Sequence, residues 1–149
     1  MITNLCILAV EDNPGDADLI REMLSETGQP AFQTECVSRL SESLTRLECG
    51  GLDLVLLDLS LPDSQGLATF RGLRQAVPEI PVIVLTGTDD DEQAVATVRE
   101  GAQDYLVKGQ ISAPLVWRAI WYAVERQKLT EDLRKPGPPP KPPSPTSKP

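Results

Sequence analysis

Short apolar runs alternate with helical stripes over the first 134 residues. Cys6-Ile7-Leu8-Ala9-Val10 is a continuous apolar run, the pattern of a strand covered on both faces. Asn13-Pro14-Gly15-Asp16 has turn and helix-start chemistry, and Leu19, Ile20, Met23 and Leu24 follow at helical spacing as far as Gly28. Residues 33–37 predict a weaker, half-polar strand. Leu40, Leu44 and Leu47 form a helical stripe closed by Gly50-Gly51. Residues 52–57 predict the third strand, 61–66 a loop, and Leu67, Phe70, Leu73 and Val77 the third helix. Residues 81–86 (PVIVLT) are the strongest strand in the chain. The acidic cluster at 89–92 opens a fourth helix that runs to Gly101, since carboxylates suit a helix N-terminus. Tyr105-Leu106-Val107 is the fifth strand, and a long helix runs from about Ala113 to about Arg134.

Five β–α units in succession imply a parallel sheet with helices on both faces. Two strand orders suit this length, 2-1-3-4-5 and a Rossmann half. Both place a site beyond the carboxyl ends of the strands, at the point where the order reverses. The pattern stops near residue 134, so 1–134 is the domain and 135–149 a separate tail. From Pro136 the tail reads PGPPPKPPSPTSKP, eight prolines in fourteen residues. Proline fixes φ and lacks an N–H, so this stretch suits a solvated or polyproline II chain and not a packed element. It is expected to be a solvated terminus, with a ligand for an SH3-like groove as the functional alternative.

Polar residues close four of the five predicted strands on one rim. Strand 1 runs into Glu11-Asp12, strand 3 into Asp58, strand 4 into Thr86 and strand 5 into Lys108. In the order 2-1-3-4-5, strands 1 and 3 are neighbours and their three carboxylates converge. Carboxylates so close repel one another unless a cation sits among them, and hard oxygen ligands favour Mg²⁺, with Mn²⁺ or Ca²⁺ as substitutes. Lys108 adds a compact positive charge and Thr86 a hydroxyl donor. A single Asp after a strand is ordinarily a helix cap, and a single Lys there is ordinarily solvated. Five such residues on one rim exceed that ordinary reading and match a metal-assisted phosphoryl site.

Composition narrows the chemistry further. The 149 residues include no histidine, which excludes a Ser-His-Asp triad, a His zinc ligand and a phosphohistidine on this chain. Any phosphate must therefore come from elsewhere or react on a carboxylate. With 14 Lys+Arg against 22 Asp+Glu, a net charge of −8, the balance disfavours nucleic acid as a partner. Cys6, Cys36 and Cys49 are odd in number and widely spaced, and read as reduced thiols. There is no basic n-region before the first apolar run and no apolar stretch long enough to span a bilayer, so a cytoplasmic protein without a membrane partner is expected.

VEDNP after strand 1, LLDLSLPDSQG around strand 3, VIVLTG on strand 4 and GAQDYLVKG on strand 5 together resemble the receiver domain of two-component response regulators. The likeness covers residues 5 to about 127, with the four motifs in family order and at family spacing. It implies the flavodoxin-like (βα)5 doubly wound sheet in the order 2-1-3-4-5. By the same resemblance Asp58 is the phosphoacceptor, and Glu11 and Asp12 hold Mg²⁺ (or Mn²⁺) with Asp58 and the Ser60 backbone carbonyl. Thr86 and Tyr105 match the family's switch pair, and Lys108 its phosphate-binding lysine. The implied partners are a histidine kinase or phosphotransfer protein and a downstream protein target. The chain itself is expected to be no turnover enzyme, catalysing only its own phosphotransfer and slow dephosphorylation. It departs from the family pattern where Gly109 follows Lys108 in place of the usual proline. No output domain is expected after residue 134.

Three other readings are weaker on the residues. A pseudo-receiver that works without phosphate is disfavoured because Glu11, Asp12, Asp58, Thr86 and Lys108 are all present. A haloacid-dehalogenase-like phosphatase needs an Asp two residues after its nucleophile, where this chain has Ser60. A flavodoxin is disfavoured because an acidic loop after strand 1 would repel the FMN phosphate.

The fifth helix carries a separate signal. Residues 115–124 read LVWRAIWYAV, with Val116, Ala119, Ile120 and Ala123 on one stripe suited to the sheet. Trp117, Trp121 and Val124 form a second stripe. Either the tryptophans fold over the fourth helix as core, or the stripe is exposed as a partner or homodimer surface, to which Leu129 and Leu133 would add heptad-like spacing.

Overall fold

Strand pairing follows the order β2-β1-β3-β4-β5, all parallel. In the computed structural model, which describes residues 5–26, 32–87 and 91–134, these are β1 (Leu5–Val10), β2 (Phe32–Val37), β3 (Leu54–Asp58), β4 (Val82–Thr86) and β5 (Asp104–Val107). The helices between and after them are α1 (Pro14–Glu26), α2 (Leu40–Glu48), α3 (Leu67–Ala76), α4 (Asp91–Arg99) and α5 (Ala113–Arg134). The readings placed on Gly28, on Asp89 and Asp90, and on the Pro-rich tail lie outside the described residues.

The sheet separates two apolar layers because successive side chains of a strand point to opposite faces. Ile7, Ala9, Leu54, Leu56, Ile83 and Leu85 face α1 and α5, and join Ile20, Leu24, Val116 and Ile120 in one cluster. Leu8, Val10, Val55, Leu57, Val82 and Val84 face the other way and pack with Leu47, Phe70 and Leu73 of α2 and α3. The central strands β1, β3 and β4 are apolar on both faces for this reason, whereas edge strand β2 alternates between half-buried and exposed positions.

Helix starts on the rim side are fixed by side chains. Asn13 Oδ1 accepts the Asp16 N–H at 3.1 Å and caps α1. α2 takes its cap from a distance: Asp63, in the loop after β3, accepts the Leu40 N–H at 2.8 Å and the Ser41 N–H at 2.9 Å. Those two amide bonds hold the Asp63 carboxyl below its ordinary pKa. Asp63→Ala is expected to cost about 1 kcal/mol of stability, the usual loss for a cap, read as a lower urea midpoint at unchanged slope.

Two readings around β3 need correction. β3 begins at Leu54 rather than at residue 52, because Asp53 bonds β1 partly through its side chain: its Oδ2 accepts the Cys6 N–H at 2.8 Å while its own N–H donates to the Cys6 carbonyl at 2.8 Å. The loop at 61–66 overlaps a small antiparallel hairpin, Ser60–Leu61 against Ser64–Gln65. It turns into α3 at Gly66, whose φ of 66° favours a residue without Cβ.

Trp117 and Trp121 do not fold over α4. Both are half-buried. The Trp117 ring lies 5.3 Å from Phe32 on β2 and 5.4 Å from Trp121. The strand order explains this. It places α5 beside α1 on one face and α4 beside α3 on the other, so Trp117 meets Phe32 of β2 while Trp121 packs on Trp117 and the core cluster between α1 and α5. Val124 is buried in the core. Among the α5 residues whose burial is described, the exposed large hydrophobics are Leu115, Tyr122 and Leu129, spaced seven apart.

Candidate functional site

The rim residues do come together. The Glu11 N–H donates to the Val37 carbonyl at 2.9 Å, which carries the sheet one residue past β1. The Glu11 side chain is buried, Asp12 beside it is exposed, and Asp58, the last residue of β3, is 4% exposed. One carboxylate oxygen from each of the three lies within 4.8 Å of the others. Lys108 opens a short 3₁₀ turn after β5 (Lys108–Gln110) and reaches back toward β1 and β3. Its Nζ is 2.6 Å from Glu11 Oε1 and 2.8 Å from Asp58 Oδ2. The second oxygens are held by backbone: the Ser60 N–H donates to Asp58 Oδ1 at 2.9 Å and the Asn13 N–H to Glu11 Oε2 at 3.1 Å.

Thr86 completes the rim. Asp58 pairs in register with Leu85, so Thr86 stands one residue further out on the neighbouring strand. Its hydroxyl is buried and has no hydrogen-bond partner. A buried hydroxyl normally finds an acceptor, and leaving one unpaired costs about 1–3 kcal/mol. Tyr105 pairs in register with Val84, two residues before Thr86, so the two side chains share one face of the sheet. Tyr105 is half-buried against the cluster that faces α2 and α3.

Burial is the largest influence on the charges of the rim. Burial raises the Glu11 carboxyl from 4.5 to about 7, Asp58 adds to that, and Lys108 and the Asn13 amide only partly oppose it. Burial also acts against the charged form of Lys108, but the contacts to Asp58 and Glu11 outweigh it and hold its pKa above the ordinary lysine value. One ammonium therefore serves several carboxylates. Hard oxygen donors outnumbering the cation that neutralises them are a donor set that fits Mg²⁺ or Mn²⁺.

Asp16 is the site residue that sequence reasoning missed. Its Oδ2 lies 3.1 Å from Lys108 Nζ, the third carboxylate on that ammonium. An acid in the first turn of a helix is already explained by the helix dipole, and that explanation hides a second role. The available signal was its place four residues after Asp12, one helical turn from the acidic pair. Ser60 meets the site through its amide, as above. The Lys108–Gly109 bond is trans, and no cis peptide occurs among the described residues.

A doubly wound sheet with an acidic pocket, a lysine and a threonine at the carboxyl ends of its strands defines a class of phosphoryl-responsive α/β domain. Sequence comparison agrees with the geometry: residues 7–118 match the response regulator receiver domain. The chain belongs to that family. It is similar to the KDP operon transcriptional regulatory protein KdpE of Escherichia coli (strain K12), 37% identical over 114 residues, covering 73% of this chain and 48% of KdpE. It is also similar to the swarming motility regulation protein RssB of Serratia marcescens, 37% identical over 102 residues, covering 68% of this chain and 45% of RssB. The chain thus spans about half the length of these curated relatives. Among solved structures, a response regulator receiver domain protein from Clostridium thermocellum superposes with a TM-score of 0.74 at 29% identity, over 85% of this chain and 98% of that one. Among the described residues, no helix is long and apolar enough to cross a membrane.

Proposed function

We propose that this domain receives a phosphoryl group on Asp58 from a histidine kinase or phosphotransfer protein and signals through protein contacts. The observation that carries the reading is the unpartnered, buried hydroxyl of Thr86 beside an Asp58 already engaged by Lys108 and the Ser60 amide. Thr86 is a buried donor without an acceptor, on a rim whose other donors are already engaged. An Asp58 oxygen attacks phosphorus, the bond to the donor's imidazole nitrogen breaks, and the electron pair stays on that nitrogen. The product is an acyl phosphate whose oxygens accept from Lys108 and Thr86. Asp12, Asp58 and Glu11, with the Ser60 carbonyl, are the groups that would hold Mg²⁺ or Mn²⁺, which when bound neutralises charge on the transferring group.

Lys108 moves from carboxylates to phosphoryl oxygens, which frees Glu11 and Asp16. Movement of Thr86 toward the phosphoryl group opens space on the face it shares with Tyr105, and the Tyr105 ring turns into it. A local charge change thus becomes a surface change on β5. The chain catalyses its own phosphotransfer and dephosphorylation and turns over no other substrate. A cytoplasmic setting agrees with three free thiols at Cys6, Cys36 and Cys49.

Incubation with acetyl phosphate and Mg²⁺ tests the acceptor role. The expected product has one added phosphoryl group on the peptide containing Asp58, labile to hydroxylamine. No uptake, or uptake elsewhere, counts against it.

The metal has its own signature in pH. With its folded pKa raised to about 7 from 4.5, Glu11 binds a proton more tightly in the folded than in the unfolded protein. Its stabilising contribution is complete below about pH 4.5 and is lost as pH rises through about 7. Glu11 would have to give up that proton to hold a divalent cation, so stabilisation by added Mg²⁺ is expected to grow over the same window. The cation-free melting temperature is expected to fall across it while the gain from millimolar Mg²⁺ rises. Glu11→Gln flattens both trends. A gain from Mg²⁺ that is absent, or equal at both ends of the window, contradicts the site.

A further inference from the structure

The outer side of α5 carries an open groove of about 530 Å³ lined by Pro114, Trp117, Arg118, Trp121 and Tyr122. The chain has only two tryptophans, and both are here. Their rings meet edge to face at 65°, and Tyr122 beside them is 53% exposed. The polar atoms these side chains offer are mainly donors: two indole N–H groups, a guanidinium and a phenol O–H. Aromatic faces interleaved with donors fit a polyproline II segment. Its rings pack on the aromatics and its carbonyls accept, while its prolines have no N–H needing a partner.

The same chain supplies such a segment directly after α5, in PGPPPKPPSPTSKP from Pro136. We propose that this segment folds back along α5 and occupies the groove as polyproline II, with Pro142, Pro143 and Pro145 against Trp121 and Trp117. The reach agrees. Thirteen residues separate Trp121 from the end of α5 at Arg134, about 20 Å at about 1.5 Å per residue. Pro136-Gly137 has the chemistry of a reversal. At about 3.1 Å per residue, a polyproline chain leaving Gly137 draws level with Trp121 near residues 143–144 and with Trp117 about two residues later.

Charge selects the same register. Lys141 then comes level with Glu125, one turn beyond Trp121 on the same side of α5. Glu125 is partly exposed, and residues 136–149 contain no acid to compete with it. Length, turn and charge all point to one alignment. Held this way, the tail covers the aromatic face of α5 and withdraws it from other partners.

Because both tryptophans line the groove, intrinsic fluorescence reports its occupancy in the full chain. Replacing three prolines together (Pro142→Ala, Pro143→Ala, Pro145→Ala) is expected to red-shift the tryptophan emission and raise its quenching by acrylamide, with the circular-dichroism melt of the domain unchanged. A synthetic peptide of residues 136–149 added to that variant should reverse both effects. Glu125→Lys should raise quenching in the wild-type chain, and adding Lys141→Glu should restore it. Emission and quenching identical in all variants overturn the proposal. So does a change that follows protein concentration together with a dimer in sedimentation, which assigns the groove to a second copy.

Discussion

Asp58→Asn is expected to abolish phosphoryl uptake from acetyl phosphate and Mg²⁺, by roughly three orders of magnitude or more, as when a nucleophile is removed. A carboxamide presents no anionic oxygen to phosphorus, and no neighbour is placed to substitute. Glu11 is buried behind Lys108, while Asp12 lacks the lysine and amide contacts that orient Asp58. The fold should survive. The native rim gathers Glu11, Asp12 and Asp58 together, and a single lysine serves Glu11, Asp58 and Asp16, so removing a charge relieves repulsion. The melting temperature without divalent cation should stay level or rise, and the Mg²⁺-dependent gain should shrink. An Asp58→Asn protein that still gains one phosphoryl group at the wild-type rate removes Asp58 as the acceptor.

The second large effect belongs to Lys108. In Lys108→Met the stem is nearly retained but the ammonium is lost, leaving Glu11 and Asp58 buried together without a counter-charge. Breaking a buried pair from one side costs about 3–5 kcal/mol. Lys108 is partly exposed, with 23% of its side-chain surface accessible, so the low end of that range applies. About 3 kcal/mol lowers the melting temperature of a domain this size by roughly 10 °C. Mg²⁺ should recover part of the loss, since it supplies the missing charge in the same place. Asp16→Asn, which removes only the longest and most exposed contact, should be close to neutral in the same melt. Equal melting temperatures for wild type and Lys108→Met, without added cation, would mean the lysine does not hold these carboxylates.

Much of this was present in local patterns. The apolar runs at β1, β3 and β4 announce strands buried on both faces, because a residue's neighbours one and two places away decide which face it takes. The residues that close those strands, Glu11, Asp58, Thr86 and Lys108, were legible as a site for the same reason. In a parallel sheet every strand ends on one rim, so position at a strand end is already position in space.

Where the reading failed, the deciding partner lay far along the chain. Asp16 looks like an ordinary helix-start acid until Lys108, 92 residues away, is brought over it. Asp63 looks like a loop residue until α2, 23 residues back, presents its free amides. The contact of Trp117 with Phe32 was not among the alternatives, because helical periodicity gives the angle of a side chain about its own axis and not which strand edge that angle meets. Sequence alone determined the five β–α units, the rim and the chemistry gathered there, since each depends on short-range alternation and chain order. Only the tertiary structure decided which carboxylates share the lysine, what caps α2 and what the α5 tryptophans touch, because those contacts come from packing one element on another.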